Sequence, residues 1–302
     1  MEVVSSTVMP RVPLGTMAPA VMVKNIYLSC DPWMRGPRRC YAEIAEDFVL
    51  GEAMVNFGVS KVVDSTHPVF AAGDSCGDCV VGRSTASSPN RRHCTRSTIL
   101  IYHLLLHRCV TGLTAYAAFF EVGKPKKGET VFVSAASGAV GQIVGQLAKI
   151  AAAIAGSDEK VTLLKTKFGF HDAFNYKKEG NDLTGALRRC FPDGIDIYFD
   201  MSAVRRWMRR WSTCGVVVEW WSPRGAQRDT DPIQDHPVEG FAVFNHFGLY
   251  PMFEDEMARY LKEGKVTVLQ DVVKGIEKAS EALIGMFSGR NVGKLLVAVA
   301  DE

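Results

Sequence analysis

The sequence contains no uninterrupted apolar run that approaches the ~18 residues needed for a membrane-spanning helix. It also begins without a basic segment followed by an apolar one, so we predict no secretory signal peptide. A large excess of one charge is missing as well, because 35 Lys and Arg residues stand against 33 Asp and Glu residues. We therefore expect no membrane partner and no nucleic-acid binding through bulk electrostatic attraction.

The 302 residues, of which 47% are apolar and 23% are charged, have the composition of a soluble globular protein. At roughly 150 residues per domain, this length predicts two domains, each large enough to bury its own core. Because no signal peptide is predicted, we expect a cytoplasmic location. The eight cysteines are then expected to be reduced thiols rather than a disulfide framework.

The cysteines and histidines do not form a pattern typical of a metal site. A Cys-x-x-Cys motif at 76–79 is followed by a His-Cys pair at 93–94, whose adjacent side chains point in divergent directions. His103 and His107 share the spacing of one helical face, but no glutamate accompanies them and their neighbours are apolar. We predict that the chain binds no metal and that these residues belong to loops or to the edge of a buried helix.

Short apolar strands alternate with helical segments along most of the chain after residue 111. The predicted strands cover residues 21–28, 130–134, 173–176, 195–199, 215–219 and 294–300. The predicted helices cover residues 111–122, 140–150, 158–168, 182–190, 254–263 and 275–287. This alternation predicts an α/β fold with a doubly wound parallel sheet.

The most informative segment is a glycine-rich turn between a predicted strand and a predicted helix. The strand that ends at Ser134 leads into Ala-Ser-Gly-Ala-Val-Gly at 136–141, a Gly-x-Gly-x-x-Gly motif with Ala136 at its first position. Gly138 lets the backbone approach a pyrophosphate, and Gly141 allows the helix to pack closely on the strand. The N–H groups and the dipole at the start of the helix favour phosphate groups. We therefore predict a dinucleotide cofactor site at this turn.

The type of nicotinamide cofactor depends on the side chain that lies about 20 residues beyond the turn. An acidic side chain there would bind the ribose 2′-hydroxyl of NAD, whereas a basic one would bind the 2′-phosphate of NADP. The segment Gly-Ser-Asp-Glu-Lys at 156–160 carries both signs of charge. Spacing alone therefore leaves NAD and NADP open.

Several further motifs point to a known family. They are CDPWMRG at 30–36, GLTAY at 112–116, VFVSAASGAVGQ at 131–142, AFNY at 173–176 and FSGRNVGK at 287–294. Together they resemble the plant NADP-dependent alkenal double-bond reductases, zinc-independent medium-chain dehydrogenase/reductases that are similar to the prostaglandin and leukotriene reductases. The resemblance implies a GroES-like β-rich substrate domain at 1–108 and 253–302 around a Rossmann NADP-binding domain at 109–252, with the nicotinamide in the cleft between them.

The resemblance also implies NADP(H) as the cofactor and assigns residues to its parts. Lys160 and Tyr176 would hold the ribose 2′-phosphate, and a lysine is chemically suited to a phosphate. The turn at 138–141 would hold the pyrophosphate, while the backbone at 241–243 and the side chain of Asn291 would approach the nicotinamide. The candidate cofactor-binding residues are Gly138, Ala139, Val140, Gly141, Ser157, Lys160, Tyr176, Phe241, Ala242, Val243 and Asn291.

The same resemblance implies a reaction and a partner. The family transfers a hydride from NADPH to the β-carbon of an α,β-unsaturated aldehyde or ketone, so the implied partner is a small enal or enone. The zinc-dependent relatives need cysteine and histidine ligands that we do not find here, in agreement with the predicted absence of a metal site. The resemblance is also compatible with a homodimer.

Two tyrosines that face the substrate in this family are missing from the sequence. Trp33 replaces the first one, so an aromatic wall remains but the hydroxyl is lost. The second has no counterpart, because no tyrosine occurs between Tyr198 and Tyr250. A family motif that touches the nicotinamide is replaced by Asp-Met-Ser-Ala at 200–203. We assign no catalytic residue, name Trp33 as a substrate-facing candidate, and keep a catalytically impaired or inactive NADP-binding relative as the alternative.

The segment at 204–211 combines arginines with tryptophans. At helical spacing, Val204, Trp207, Met208 and Trp211 share one face, and four arginines fill the opposite face. We predict a helix whose tryptophans pack on the sheet and whose arginines face solvent. The alternative is a basic helix that binds nucleic acid or a membrane.

Overall fold

The computed structural model describes residues 21–35, 54–81, 85–88, 95–97, 110–148, 151–180, 182–200, 216–220 and 238–300. The chain divides into two compact units, one of Met1–Cys109 with Gln270–Glu302 and one of Val110–Leu269. Within the described ranges, no helix is long and apolar enough to cross a bilayer.

The secondary-structure elements are numbered along the chain. The strands are β1 (Val21–Ser29), β2 (Val55–Ser65), β3 (Ser75–Val81), β4 (Thr85–Ser88), β5 (Thr95–Ser97), β6 (Val131–Val133), β7 (Ala151–Ala155), β8 (Asp172–Asn175), β9 (Ile197–Asp200), β10 (Val216–Trp220), β11 (Val238–Phe241), β12 (Gln270–Lys274) and β13 (Lys294–Ala298). The α-helices are α1 (Val110–Ala117), α2 (Gly141–Leu147), α3 (Asp158–Thr166), α4 (Leu183–Cys190), α5 (Tyr250–Lys262) and α6 (Ala279–Phe287). Shorter 3-10 turns cover Pro32–Arg35, Val243–Leu249 and Ile276–Lys278.

The first unit is built on a mainly antiparallel sheet with the strand order β12-β13-β1-β2-β3-β5, and β4 pairs with β1. Only the β12–β13 pair among the described strands of this sheet is parallel. β1 is almost continuously buried because it carries apolar side chains on both faces. Ile26 packs with Val59 and Leu296, while Val23 packs with Val62. The predicted β-rich unit is therefore confirmed.

The second unit contains the α/β sheet, with the strand order β11-β10-β9-β6-β7-β8. β8, β7, β6 and β9 run parallel to one another. Parallel strands covered on both faces carry continuous apolar sequences, and β6 (Val-Phe-Val) is fully buried while β7 (Ala-Ala-Ala-Ile-Ala) is nearly so. The predicted Rossmann class is therefore confirmed.

One strand departs from the predicted parallel sheet. β10 pairs antiparallel with both β9 and β11. Parallel neighbours require a long crossover connection, and residues 201–215, which join β9 to β10, lie outside the described residues. The predicted helix at 204–211, and the basic-helix alternative built on it, fall in that same segment.

Several elements differ from the sequence prediction, and β7 and β11 are not among the predicted strands. The helix predicted at 111–122 is α-helical only to Ala117 and continues as a π-helical turn, Ala118–Gly123, that ends where Lys124 adopts a φ of 45°. The helix predicted at 140–150 is shorter because Ala148 is already extended. β12 was missed because its sequence, Gln-Asp-Val-Val-Lys, is mostly polar and its parallel pairing with β13 defines it.

The second compact unit extends beyond residue 252, the predicted end of the Rossmann domain. The sequence assigns 253–302 to the first domain, but residues up to Leu269 belong to the second unit. The Tyr116 hydroxyl of α1 donates a hydrogen bond to Glu256 of α5 over 2.8 Å, and the rings of Tyr116 and Phe253 lie 5.7 Å apart. The Gln142 side chain accepts a 2.8 Å hydrogen bond from the Leu269 N–H. These contacts attach α5 and the segment after it to the Rossmann unit.

Candidate functional site

The carboxyl ends of the parallel strands meet at one edge of the sheet in the second unit. Ala155, which ends β7, lies opposite Asn175, which ends β8. Val133, which ends β6, lies opposite Phe199 near the end of β9. In open α/β sheets, ligands bind outside this edge. The glycine turn, the segment at 156–160 and Tyr176 all leave the sheet here.

The antiparallel strands return the chain to the same edge. Val217 near the start of β10 lies opposite Asp200, which ends β9. Val216 then lies opposite Phe241, which ends β11. The backbone at 241–243 therefore leaves the sheet at the edge where the parallel strands end. The candidates for the adenosine end and the nicotinamide end of the cofactor are thus distributed along one edge in the order β8, β7, β6, β9, β10 and β11.

Short backbone contacts shape the glycine turn after β6. The Gly138 N–H donates a hydrogen bond to the Ala135 carbonyl oxygen over 2.9 Å. A Cβ atom at position 138 would lie 3.0 Å from that same oxygen. The strained backbone is at Ala135, whose φ is 47°, a value rare for a residue with a side chain. Residues 138–140 are part-exposed, so the outer surface of the turn is open to a ligand.

Gly141 has the packing role that the motif predicts for it. A Cβ atom at this position would lie 2.7 Å from the Ala135 carbonyl oxygen and 2.7 Å from the Ala136 Cα atom. Both distances are shorter than any ordinary contact, so only glycine lets α2 begin directly against the turn. The crowded Gly141 and the open surface at 138–140 together fit these residues to the pyrophosphate of a dinucleotide.

One of the two acidic residues that left the cofactor type open, Asp158, is already paired. The Asp158 carboxylate binds the Lys178 ammonium through Oδ2 and accepts a 2.9 Å hydrogen bond from Asn175 through Oδ1. The hydrogen bonds from Lys178 and Asn175 hold the pKa of Asp158 below its usual range. The positive charge of Lys178 offsets the negative charge of Asp158, which reduces the acidic character that would select the ribose hydroxyl of NAD. The tertiary contacts therefore favour NADP over NAD.

The residues predicted for the 2′-phosphate lie at the ends of two neighbouring strands. Ser157 caps α3 by accepting a 3.4 Å hydrogen bond from the Lys160 N–H, which places Lys160 in the first turn after β7. Tyr176 follows β8, and its N–H donates to the Ala155 carbonyl oxygen over 3.2 Å. The Tyr176 side chain is 45% exposed. The structure therefore brings Ser157, Lys160 and Tyr176 to the same edge.

The two candidates for the nicotinamide end belong to different units. Ala242 and the buried Val243 follow β11 in the second unit. Asn291 lies in the first unit, where its Nδ2 donates to the Gly293 carbonyl oxygen over 2.9 Å. It lines a cleft of about 260 Å³ formed by residues of α6, β12 and β13. Their contact with the nicotinamide stays a prediction.

Trp33 lies in the 3-10 turn Pro32–Arg35 of the first unit. Its side chain is half-buried, and its ring centroid lies 6.0 Å from that of Phe57 at an interplanar angle of 62°. This edge-to-face contact is a favourable arrangement of two aromatic rings. Trp33 therefore forms part of an aromatic surface, and its contact with substrate stays a prediction.

A buried ion pair lies directly before this turn. Asp31 is 8% exposed and Lys294 only 1%, and the Lys294 ammonium binds the Asp31 carboxylate. The Ser29 hydroxyl also donates to Asp31, and Asn56 donates to it over 3.1 Å and to the Ser29 carbonyl oxygen over 2.7 Å. Burial by itself would raise the pKa of Asp31, but the charge and hydrogen bond of Lys294, with those from Ser29 and Asn56, hold it below its usual range.

The sequence prediction missed this ion pair. Asp31 belongs to the CDPWMRG motif and Lys294 to the FSGRNVGK motif, both of which were noted only for their resemblance. A lysine that opens the apolar strand Lys-Leu-Leu-Val-Ala was the available signal, because a buried lysine is nearly always paired. Its partner is 263 residues away, so the pairing itself could not be seen.

Only some of the cysteines and histidines that were considered as metal ligands lie within the described residues. Over the ranges that the structure covers, no group of three or more His, Cys, Asp or Glu residues could hold a metal ion. Cys30 and Cys76 are buried, Cys190 is half-buried, and none of these three described cysteines forms a disulfide bond. Burial raises the pKa of Cys30 to about 11, so its thiol stays neutral at pH 7. The pair at 93–94 and the histidines at 103 and 107 lie outside the described residues.

Comparison with known proteins agrees with this geometry. Residues 6–92 match the family model described as the N-terminal domain of oxidoreductase. The 2-alkenal reductase (NADP(+)-dependent) of Nicotiana tabacum is 43% identical over 100% of this chain and 93% of its own length. The (+)-pulegone reductase of Mentha piperita is 42% identical over 99% of this chain and 93% of its own length. The crystal structure of CurA from Vibrio vulnificus in complex with NADPH superposes with a TM-score of 0.76 at 25% identity, covering 98% of this chain and 94% of CurA.

The Rossmann sheet, its glycine turn and the additional β-rich unit define a dinucleotide-dependent oxidoreductase. The sequence identity to the tobacco and mint reductases, which extends over nearly the whole chain, identifies the family within this class. The chain belongs to the zinc-independent medium-chain dehydrogenase/reductase family, in the group of the NADP-dependent alkenal double-bond reductases.

Proposed function

We propose that this chain uses NADPH to reduce the C=C bond of α,β-unsaturated aldehydes and ketones, with hydride transfer to the β-carbon. The observation that carries this function is the common edge where the glycine turn, the Lys160 segment and the backbone at 241–243 leave one sheet. Similarity to the tobacco 2-alkenal reductase and the mint pulegone reductase supports the substrate class. Similarity to CurA, crystallised with NADPH, supports the cofactor.

The residues present would hold each part of NADPH, which supplies a hydride when bound. The turn at 138–141 holds the pyrophosphate, and Lys160 and Tyr176 hold the ribose 2′-phosphate. The backbone at 241–243 and the side chain of Asn291 orient the nicotinamide. Val110–Leu269 is then the NADP-binding domain, and the β-rich unit is the substrate domain. We further propose that the protein is cytoplasmic, that it forms a homodimer and that its substrate is a small enal or enone.

The substrate needs a partner for the negative charge that develops on its carbonyl oxygen. Hydrogen-bond donors aimed at such an oxygen usually make the largest single contribution to catalysis of this kind. Trp33 supplies an aromatic wall for the alkene but has no hydroxyl to donate. We therefore assign it a role in orienting the substrate and assign no proton donor.

The test is a measurement of NADPH binding and NADPH consumption on the same protein. We expect NADPH to raise the thermal midpoint and to be oxidised when 4-hydroxynonenal is added, with the saturated aldehyde as product. A stabilised protein that oxidises no NADPH over a series of enals and enones would favour the inactive NADP-binding relative. A midpoint that does not respond to NADPH would overturn the cofactor assignment as well.

The preference for NADPH over NADH should depend on Lys160. A lysine on a phosphate dianion contributes about 1.5–3 kcal/mol, which is roughly tenfold or more in affinity. Lys160→Ala should therefore raise the Kd for NADPH at least about tenfold and leave the Kd for NADH nearly unchanged. Titrations followed by nicotinamide fluorescence would measure both constants. Equal constants for the two cofactors in the parent protein would contradict this role.

Trp33→Tyr should raise turnover more than it changes cofactor affinity. The substitution keeps an aromatic ring beside Phe57 and adds a hydroxyl that can donate to a carbonyl oxygen. Because one such donor is typically worth ~10²–10³ in turnover, a gain of about tenfold is expected even with imperfect geometry. Steady-state kinetics on an alkenal series, with NADPH binding measured separately, would check it. Trp33→Phe is the control, because it changes ring size without adding the hydroxyl.

A further inference from the structure

The end of β7 is covered by a side chain that the sequence analysis did not single out. A Cβ atom built on Gly156 would lie 3.4 Å from Cε and 3.5 Å from Nζ of Lys177, and 3.5 Å from the ring of Tyr176. The Lys177 ammonium therefore lies over Gly156, beside the Tyr176 ring. In Rossmann folds, the residue that recognises the ribose 2′ position follows this second strand.

The charges around Lys177 leave its ammonium available. Over the described residues, the two carboxylates of the segment after β7 have other partners. Asp158 is bound by Lys178 and Asn175. Glu159 accepts hydrogen bonds from the Ser157 hydroxyl and from its own backbone N–H, which hold the pKa of Glu159 below its usual range.

Lys177 differs in this respect from the lysine that follows it. No ion pair joins Lys177 to any carboxylate of the described part of the chain, whereas Lys178 is paired with Asp158. The backbone N–H of Lys177 donates a 3.1 Å hydrogen bond to Oδ1 of Asn175. This bond stabilises the turn from which the Lys177 side chain extends. A fixed turn and an available ammonium at the ribose end of the edge suit an anionic ligand.

We propose that Lys177 is a specificity-determining residue that binds the ribose 2′-phosphate of NADPH together with Lys160. This role rests on the proposed function, because it needs NADPH at the carboxyl edge. Lys178 serves a different purpose, since it engages the carboxylate that would otherwise repel the phosphate.

The experiment compares Lys177→Gln with Lys167→Gln, which removes the same charge from the exposed C-terminal end of α3. Isothermal titration would measure the Kd for NADPH, NADH, adenosine 2′,5′-bisphosphate and adenosine 5′-diphosphate. Because Lys177 is exposed and screened by solvent, we expect Lys177→Gln to weaken both 2′-phosphate ligands by about fivefold at low salt. The two ligands without a 2′-phosphate should bind as before, and Lys177→Arg should retain most of the affinity. Lys167→Gln should change none of the four constants.

The outcomes separate Lys177 from the proposed function as a whole. Unchanged NADPH binding in Lys177→Gln, alongside a clear loss in Lys160→Ala, would overturn the role of Lys177 and leave the proposed function standing. Equal weakening of NADPH and NADH would mean that Lys177 acts on the fold of the site, which also overturns its role. A parent protein that binds neither adenosine 2′,5′-bisphosphate nor NADPH would overturn the proposed function itself.

Discussion

Gly138→Val should raise the Kd for NADPH by about a hundredfold or more and should leave the protein folded. A Cβ at this position lies 3.0 Å from the Ala135 carbonyl oxygen, so the turn must shift by a few tenths of an ångström to accept it. The branched side chain would also occupy the part-exposed surface that the pyrophosphate must approach. Thermal denaturation and NADPH titration on the same sample would separate the two effects.

Gly248→Val provides a matched control for Gly138→Val. A Cβ built on Gly248 meets no atom within 4 Å, and its φ does not require glycine. This variant should keep both its thermal midpoint and its NADPH affinity. Gly138→Ala should lie between the parent protein and Gly138→Val. A folded Gly138→Val protein with normal NADPH affinity would argue against a cofactor site at this turn.

Lys294→Met should lower the free energy of unfolding by about 3–5 kcal/mol, because it leaves the Asp31 carboxylate buried without its cation. This loss is a large part of the total stability of an ordinary domain. Urea denaturation at pH 7.5 would measure it. Asp31→Asn/Lys294→Met should recover much of the loss, since an ion pair replaced as a whole no longer leaves a buried charge. A double variant as unstable as Lys294→Met would contradict this explanation.

The contribution of Asp31 to the free energy of unfolding should depend on pH with opposite signs in the parent protein and in Lys294→Met. In the parent protein the pKa of Asp31 is lowered, so the stability gained from its ionised form is complete above the ordinary aspartate pKa of ~3.9. That stability is lost only as the pH falls below this value, through the lowered pKa. In Lys294→Met, burial without a cation should raise the pKa of Asp31 instead, so the stability deficit should shrink between pH 7.5 and pH 5.5. A deficit that is equal at both pH values would show that lost packing, and not the unpaired charge, is responsible.

The sequence by itself determined the class of fold and the position of the glycine-rich turn between β6 and α2. A buried β-branched strand, a glycine-rich turn and a helix are contiguous at 130–149, and each is encoded locally by side-chain size and backbone freedom. The parallel strands β6, β8 and β9 follow for the same reason, because short apolar runs alternate with helical periodicity. Local patterns of this kind carry no information on the direction of β10, on the polar strand β12 or on the membership of α5.

Only the tertiary structure decided how the charged residues are used. The segment at 156–160 leaves the cofactor type open until Lys178 and Asn175, from the neighbouring strand end, engage Asp158. Asp31 and Lys294 likewise come from opposite ends of the chain, and their burial as a pair gives each residue its effect on stability. The physical reason is the same in both cases. The energy of a charge depends on its partners and on its exclusion from water, and both are set by residues distant in the sequence.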